Sequence, residues 1–179
     1  MKLETIANQA FIEAETFDLR PLRVSDAGLI MLYAGDERVA RYTTSIPHPL
    51  PPGAAEALVA RATATDRIED VWAIDGTKSG GAEVMGLIGL ERIDREQSEI
   101  GYWVAPAFWN TGIASAAVEA LLAANPLDNR TIFASVFQDN PASARVLTNC
   151  GFQYLGDAES FSVARNAKVP TWTYSLKVN

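Results

Sequence analysis

The chain has 179 residues, a length typical of one domain with at most a short extension. Hydrophobic residues make up 48% of it, which suffices for a sizeable core, and no apolar run reaches the roughly 18 residues of a membrane span. The net charge of −7 argues against nucleic-acid binding and is compatible with a cationic substrate such as an amine. The single cysteine, Cys150, excludes an intrachain disulfide, and the first residues lack a secretory pattern, so we expect a cytoplasmic protein.

The first half of the chain is predicted to contain short helices and strands. Residues 1–15 are polar and poorly patterned, so we expect an N-terminal extension there, either a short helix or a disordered lead, and a single domain over 16–179. Four prolines between residues 43 and 53 exclude a regular helix and indicate an ordered or gated loop. The predicted elements are a strand at 17–24, helices at 27–33 and 54–65, and strands at 70–75, 83–93 and 98–104.

Two features of this half carry their own expectations. His48, the only histidine, lies in the proline-rich loop and is a candidate general base or substrate-binding residue. The alternative is an exposed loop histidine, because the sequence places no acidic or hydroxyl partner beside it. Gly86 and Gly89 within the long strand indicate a bulge or a bend.

A strand, a tight loop and a helix follow one another between residues 99 and 123. The first N–H groups of a helix have no partner inside the helix, and the helix dipole adds positive charge there. A diphosphate can therefore bind to main-chain amides at this point without a basic side chain. The alternative is a turn that binds no ligand. The candidate phosphate-binding residues are Trp109, Asn110, Thr111, Gly112, Ile113 and Ala114.

The second half of the chain predicts a parallel strand pair and an antiparallel remainder. A strand at 129–137 is followed by a helix that starts at Pro141 and ends at Cys150, with Gly151 in the position of a helix terminator. Strand, helix and strand in succession place two parallel strands side by side through a right-handed crossover. The fold class is therefore mixed α/β. The final strands are predicted at 152–155, 160–164 and 169–178.

Two motifs resemble the GCN5-related N-acetyltransferase superfamily, and within it the RimJ/RimL-type branch. The first is EIGYWVAPAFWNTGIASAA at 99–117, in which Trp109, Gly112 and Ala114 occupy the places of the superfamily's pyrophosphate loop. The second is NPASARVLTNCGF at 140–152, which resembles the branch's Asn-x-x-Ser helix followed by Gly-Phe. The resemblance implies a central, mostly antiparallel sheet of about seven strands with one splayed parallel pair and about four helices.

The resemblance also implies acetyl-CoA as co-substrate and a primary amine as acceptor, with no metal. The pantetheine arm is expected to pair with the backbone near Trp103 and Val104, and Asn140 is expected to hold it from the other side. The Val104 amide would polarise the thioester carbonyl.

The implied catalytic residues are Glu99, which would take the proton of the amine, and Ser143, which would hydrogen-bond the departing thiolate. The alternatives are a surface glutamate and a first-turn serine without a function. Tyr102 and Trp103 alternate across the strand, so at most one of them faces the substrate, and Tyr102 is the substrate-binding candidate.

The chain departs from the family pattern at two positions. Asn110 stands where the branch usually has glycine, and asparagine is the other residue that tolerates left-handed backbone angles. Leu147 stands where many members carry a tyrosine that acts as the acid, so another proton donor is required.

Three functions remain open from the sequence. The first is an acetyl-CoA-dependent N-acetyltransferase that acts on a peptide N-terminus or on a small-molecule amine. The second is a catalytically silent module that binds or senses acyl-CoA, and the third is a domain for another nucleotide. Asp157 and Glu159 are expected in a turn beside the acceptor groove. We expect no nucleic-acid or membrane partner, and the C-terminal strand leaves a homodimer open.

Overall fold

One mixed sheet with helices on both of its faces makes up the computed structural model, which describes residues 9–178. Eight strands and five α-helices occur within those residues. The strands are β1 (Ile12–Glu13), β2 (Asp18–Pro21), β3 (Glu69–Asp75), β4 (Gly86–Asp94), β5 (Gln97–Val104), β6 (Thr131–Phe137), β7 (Gln153–Ser162) and β8 (Ala167–Lys177). The helices are α1 (Ala27–Ala34), α2 (Glu37–Ala40), α3 (Ala54–Thr63), α4 (Ile113–Ala124) and α5 (Pro141–Asn149).

The sheet opens at its one parallel pair. The strand order is β1, β2, β3, β4, β5, β6, β8 and β7, and every described neighbouring pair except β5 with β6 is antiparallel. The β5–β6 pairing covers only Gln97–Glu99 opposite Thr131–Phe133, although β5 continues to Val104 and β6 to Phe137. The two strands therefore diverge beyond Glu99, which confirms the mixed α/β fold with a splayed parallel pair.

The two faces of the sheet carry separate cores because side chains alternate along each strand. Ile100 and Val104 of β5 join the larger core, on the face covered by α4 and α5. Trp103 points to the other face and packs against the smaller core, which is built with α1 and α3. A molecule that crosses the opening between β5 and β6 would thus pass from one helical layer to the other.

Two short elements were not predicted from the sequence. Within the expected extension, Ile12–Glu13 forms β1 and pairs with β2, so a helix or disordered lead is wrong for this part; residues 1–8 lie outside the described residues. Side chains attach this segment: Gln9 Nε2 donates to the Val71 carbonyl oxygen, and Trp72 Nε1 donates to that of Ala10. The four-residue α2 is also additional, which gives eight strands and five helices instead of about seven and about four.

The glycines of β4 do not form the expected bulge. The bulge lies between Arg92 and Asp94, near the hairpin. Gly86 is required because a Cβ there would collide with the Trp103 carbonyl oxygen, and at Gly89 a Cβ would lie 2.8 Å from Glu69 Oε2. These glycines therefore permit close approach of neighbouring groups.

Two other boundaries follow from local chemistry. Gly151 has φ 96° and directly follows the C-cap of α5, which confirms it as the helix terminator. The predicted strands at 152–155 and 160–164 are largely one strand, β7, because β8 pairs along its whole length. Of the helices described, none has the length and apolar character needed to cross a bilayer.

Candidate active site

The loop before α4 presents the N-terminus of that helix to open space. Asn110 has φ 63° and Gly112 has φ 83°, so both residues adopt the left-handed conformation. Asparagine thus fills the unusual backbone position that the branch gives to glycine. No side chain of residues 9–178 caps α4, and a Cβ placed on Gly112 would meet nothing within 4 Å. The first amides of α4 are therefore available to an anion.

Trp109 ties this loop to the end of β5. Its indole Nε1 donates a 2.6 Å hydrogen bond to the Val104 carbonyl oxygen. On the outer side, the Arg38 guanidinium lies 5.8 Å from the centre of the Trp109 ring, and Arg38 is paired with Asp36 at 2.7 Å. Arg38 was not predicted as part of the site, because it lies in the unpredicted α2, far from Trp109 along the chain.

The main chain at the end of β5 is directed alternately to its two neighbours. The Ala105 N–H donates to the Met85 carbonyl oxygen at 2.9 Å, and Trp103 is the register partner of Leu87. Alternation then directs the main-chain groups of Tyr102 and Val104 to the opposite side, into the opening beside β6. The main chain of Trp103 faces β4, so only the side chain of this residue is available to a ligand in the opening.

The start of α5 brings three of the predicted groups together on the α4–α5 face. Asn140 caps the helix, since its Oδ1 accepts a hydrogen bond from the Ser143 N–H at 3.4 Å. The Tyr102 hydroxyl lies 2.9 Å from Ser143 Oγ. Burial, partly offset by the Ser143 hydrogen bond, raises the pKa of Tyr102 to about 12. Tyr102 therefore belongs with Ser143 and lies on the opposite face from Trp103.

Leu147 in α5 and Cys150 directly after it are packing residues. Leu147 is completely buried in the larger core, so the position at which many relatives carry a tyrosine is filled by packing here. Cys150 Sγ lies 3.8 Å from the Ser115 carbonyl oxygen, and burial raises the pKa of its thiol. A protonated, partly buried thiol is consistent with a small packing residue.

Glu99 is the last residue of β5 that is paired with β6, and it lies on the same face as Trp103. It is the direct cross-strand partner of Glu91, which in turn faces Glu69 on β3. Burial is the larger cause of the raised pKa of the Glu99 carboxyl, and the Glu91 charge adds to it. A carboxylate with a raised pKa at the edge of the opening suits a general base.

Two groups that were predicted from the sequence concern the rim of the opening: the acidic pair Asp157 and Glu159, and His48. Asp157 and Glu159 lie within β7 and not in a turn, and Asp157 accepts a hydrogen bond from Tyr154. The turn that reaches the rim comes later: the Val163 N–H donates to the Thr44 carbonyl oxygen at 3.1 Å. His48 is exposed in the proline-rich loop.

Arg165 fixes this rim to the start of α5. Its guanidinium forms a two-pronged hydrogen bond with Asp139, at 2.6 and 3.1 Å, and also donates to the Arg41 carbonyl oxygen at 2.9 Å. Asp139 directly precedes Asn140, so the β7–β8 turn, the loop after α2 and the capping residue of α5 are joined. The sequence did not indicate this ion pair, because its members are far apart along the chain.

Comparison with known proteins identifies the family. Residues 17–153 match the family model described as an acetyltransferase (GNAT) domain, and the chain belongs to this family. The N-acetyltransferase YoaA of Bacillus subtilis is 32% identical over 98 residues, which are 52% of this chain and 55% of that protein. The chain thus matches about half the length of this relative. The N-acetyltransferase p20 of Bacillus licheniformis is 26% identical over 175 residues, 90% of this chain and 93% of that protein.

Solved structures share the whole fold. A GNAT-family acetyltransferase from Bacillus anthracis has a TM-score of 0.79 and 20% identity, covering 94% of this chain and 98% of that one. RimL, a ribosomal α-N-protein acetyltransferase in complex with coenzyme A, has a TM-score of 0.75 and 17% identity over 94% and 98% of the two chains. A spermidine N-acetyltransferase from Vibrio cholerae, in complex with CoA and spermine, has a TM-score of 0.72 and 19% identity over 88% and 94%. RimL and this chain therefore share one fold.

Proposed function

We propose that the protein transfers an acetyl group from acetyl-CoA to a primary amine by direct attack in a ternary complex. The observation that carries this proposal is the divergence of β5 and β6 directly after Glu99. The opening joins the face of Ser143 and Tyr102 to the face of Glu99 and Trp103. A thioester held in it would be accessible to an amine from one face and to a thiolate-stabilising hydroxyl from the other.

The donor side is supported by the loop before α4. The amides of residues 110–114 would hold the diphosphate, and the left-handed Asn110 and Gly112 turn the chain so that these amides face open space. The main-chain groups of Tyr102 would pair with the pantetheine arm, and the Val104 N–H would face the thioester. The side-chain amide of Asn140, whose oxygen caps α5, would present its Nδ2 to that arm.

The acceptor side is supported by the carboxylates next to the opening. Glu69, Glu91 and Glu99 lie side by side on three neighbouring strands, so an ammonium group is favoured there. The Vibrio cholerae spermidine N-acetyltransferase, with its bound spermine, is one fold relative that takes such a substrate. A peptide N-terminus is the other amine that fits this charge, and His48 remains a candidate contact at the rim.

The bond changes assign one role to each residue. Glu99 takes a proton from the ammonium, and the freed nitrogen lone pair attacks the thioester carbonyl carbon. The Val104 N–H stabilises the negative charge that develops on the carbonyl oxygen. When the C–S bond breaks, its electron pair goes to sulfur, where the Ser143 hydroxyl donates a hydrogen bond until solvent supplies the proton. The nitrogen loses its second proton to solvent, which leaves a neutral amide.

The test combines binding with turnover. Isothermal titration measures acetyl-CoA affinity, and release of CoA thiol is followed with peptides, polyamines and aminoglycosides as acceptors. We expect binding together with thiol release for at least one amine. The Glu99→Gln variant should retain its affinity for acetyl-CoA and lose most of its rate at neutral pH. The matched control is Glu13→Gln, which removes an exposed carboxylate on β1.

Each contrary result has a separate meaning. Acetyl-CoA binding without thiol release for any amine would favour the silent acyl-CoA-binding module, for which the core position of Leu147 is the supporting observation. Competition by ATP or NAD at least equal to that by CoA would favour another nucleotide. An unchanged rate for Glu99→Gln would remove Glu99 from the mechanism.

A further inference from the structure

The hydroxyl groups of Tyr102 and Ser143 form a pair at the opening of the sheet, in a chain that lacks the tyrosine acid of many relatives. Tyr102 comes from β5 and Ser143 from the first turn of α5, and their hydroxyl oxygens lie 2.9 Å apart across the opening of the sheet. The Tyr102 hydroxyl also donates to the main-chain oxygen of Ser143, at 3.2 Å. Leu147, the family's tyrosine position, is buried in the core. Ser143 is thus held by a phenol from the opposite side of the opening.

The direction of this hydrogen bond decides whether Ser143 can act. If Ser143 donates to Tyr102, the single proton of the serine hydroxyl is used, and the sulfur faces only the lone pairs of Ser143 Oγ. If Tyr102 donates to Ser143 Oγ, the serine proton is left for a third group. The Tyr102 O–H is directed at Ser143, because it donates to the main-chain oxygen of that residue, which can only accept. The shorter of the two contacts, at 2.9 Å, is with Ser143 Oγ, which favours Tyr102 as the donor to the serine hydroxyl.

We infer that Tyr102 is a positioning residue, which donates to Ser143 Oγ and thereby directs the serine hydroxyl proton at the departing thiolate. This inference rests on the proposed acetyl transfer. The two hydroxyls together replace the single tyrosine that relatives carry on the helix. Tyr102 acts through Ser143 and transfers no proton itself. Its removal should therefore matter only while Ser143 retains its hydroxyl.

The experiment measures the pKa of the CoA thiol in the bound complex, by the ultraviolet absorbance of the thiolate. Wild type is compared with Tyr102→Phe, Ser143→Ala and the double variant, and kcat and KM for acetyl-CoA are measured in parallel. The matched control, Tyr154→Phe, removes an exposed hydroxyl on β7. Phenylalanine retains the ring of Tyr102, and a thermal melt establishes that each variant is folded.

We expect each single variant to raise the bound thiol pKa by about one unit and to lower kcat roughly tenfold, the range for a hydrogen bond to a charged group. KM for acetyl-CoA should not change. The double variant should match Ser143→Ala, because Tyr102 acts through that serine. The Tyr154→Phe control should match wild type.

Three results would overturn the inference. Additive losses in the double variant, or a Tyr102→Phe variant with wild-type thiol pKa and kcat, would assign Tyr102 to packing while leaving acetyl transfer intact. If Tyr102→Phe does not fold, Ser143→Ala still decides: an unchanged thiol pKa there overturns the contact between serine and sulfur. Wild type that binds CoA but releases no thiol with any amine overturns the proposed function, and this role with it.

Discussion

Glu91 and Glu99 are direct cross-strand partners on β4 and β5, so two acidic side chains face one another beside the opening of the sheet. Like charges in this position repel, which disfavours the ionised form of Glu99. The pKa of Glu99 is raised chiefly by burial and then by the Glu91 charge. The strand register, which places Glu91 opposite Glu99, therefore helps to raise the pKa of the proposed base.

Glu91→Gln tests this coupling through the pH dependence of the rate. Glu99 must be ionised to accept a proton, so kcat/KM falls on the acidic side as Glu99 becomes protonated. Removal of the Glu91 charge lowers the pKa of Glu99, so we expect the acidic limb to move to lower pH. Glu99 is still buried in this variant, so its pKa remains raised and the acidic limb moves only part of the way. The plateau of kcat/KM should fall, because Glu91 also belongs to the acidic row that attracts the amine. Asp94→Asn, on the same strand but near the hairpin, is the control. Coincident acidic limbs for Glu91→Gln and wild type would contradict the coupling.

The same raised pKa predicts a stability cost for the base. Between the ordinary pKa of a glutamate and its raised folded value, the native state binds more protons than the unfolded state, so stability falls as pH rises. We therefore expect Glu99→Gln to have a higher Tm than wild type at neutral pH. The difference should shrink as pH falls through the folded pKa, because the wild-type carboxyl is then neutral as well. A Tm difference that is constant with pH would contradict this account.

Gly112→Val tests the phosphate-binding loop. A valine in the left-handed conformation is strained by about 1–2 kcal/mol, and its side chain would occupy the open space over the amides of α4. We expect acetyl-CoA binding to be lost in isothermal titration. Gly80→Val is a matched control, since Gly80 has φ 79° and equally open surroundings away from the loop. It should lower Tm to a similar extent and retain affinity. Equal affinities of the two variants would refute the loop assignment.

The sequence predicted the parts of the site that depend on local chemistry. The left-handed position at Asn110, the start of α5 at Pro141 and the terminator at Gly151 each follow from residues a few positions apart. The row formed by Glu69, Glu91 and Glu99 was not predicted, because strand register depends on pairings between distant segments.

The contact of Tyr102 with Ser143 shows the same limit. The sequence showed that Tyr102 and Trp103 point to opposite faces but not which of them faces the acceptor, since both faces of this sheet are covered by helices. The sequence therefore predicts which residues are candidates for the site, and the tertiary fold determines which residues each of them contacts.

Trp109→Phe tests the connection between the loop and β5. The variant loses the 2.6 Å hydrogen bond to the Val104 carbonyl oxygen, and the loss of a partly exposed hydrogen bond costs about 0.5–1.5 kcal/mol. We expect acetyl-CoA affinity to fall about fivefold or more, since the loop is no longer fixed to the strand. Trp72→Phe is the control: it loses the matching indole bond to Ala10, at 2.7 Å, in the core. That variant should lose stability but not affinity. Wild-type affinity in Trp109→Phe would contradict the connection.

Leu147→Tyr restores the residue that many relatives carry on the helix, and we expect it to reduce stability without increasing the rate. Leu147 is completely buried, so a larger side chain forces the core apart at a cost of about 1–3 kcal/mol. The added hydroxyl also needs a hydrogen-bond partner in an apolar environment. Thermal melts and kcat of Leu147→Tyr are compared with those of Leu147→Phe, which adds the ring alone. Both variants should have a lower Tm, with tyrosine the lower of the two. The contrary result would come from double variants. If Leu147→Tyr restored the rate when combined with Ser143→Ala, and Leu147→Phe did not, the residue at position 147 would reach the sulfur and the hydroxyl pair would be dispensable.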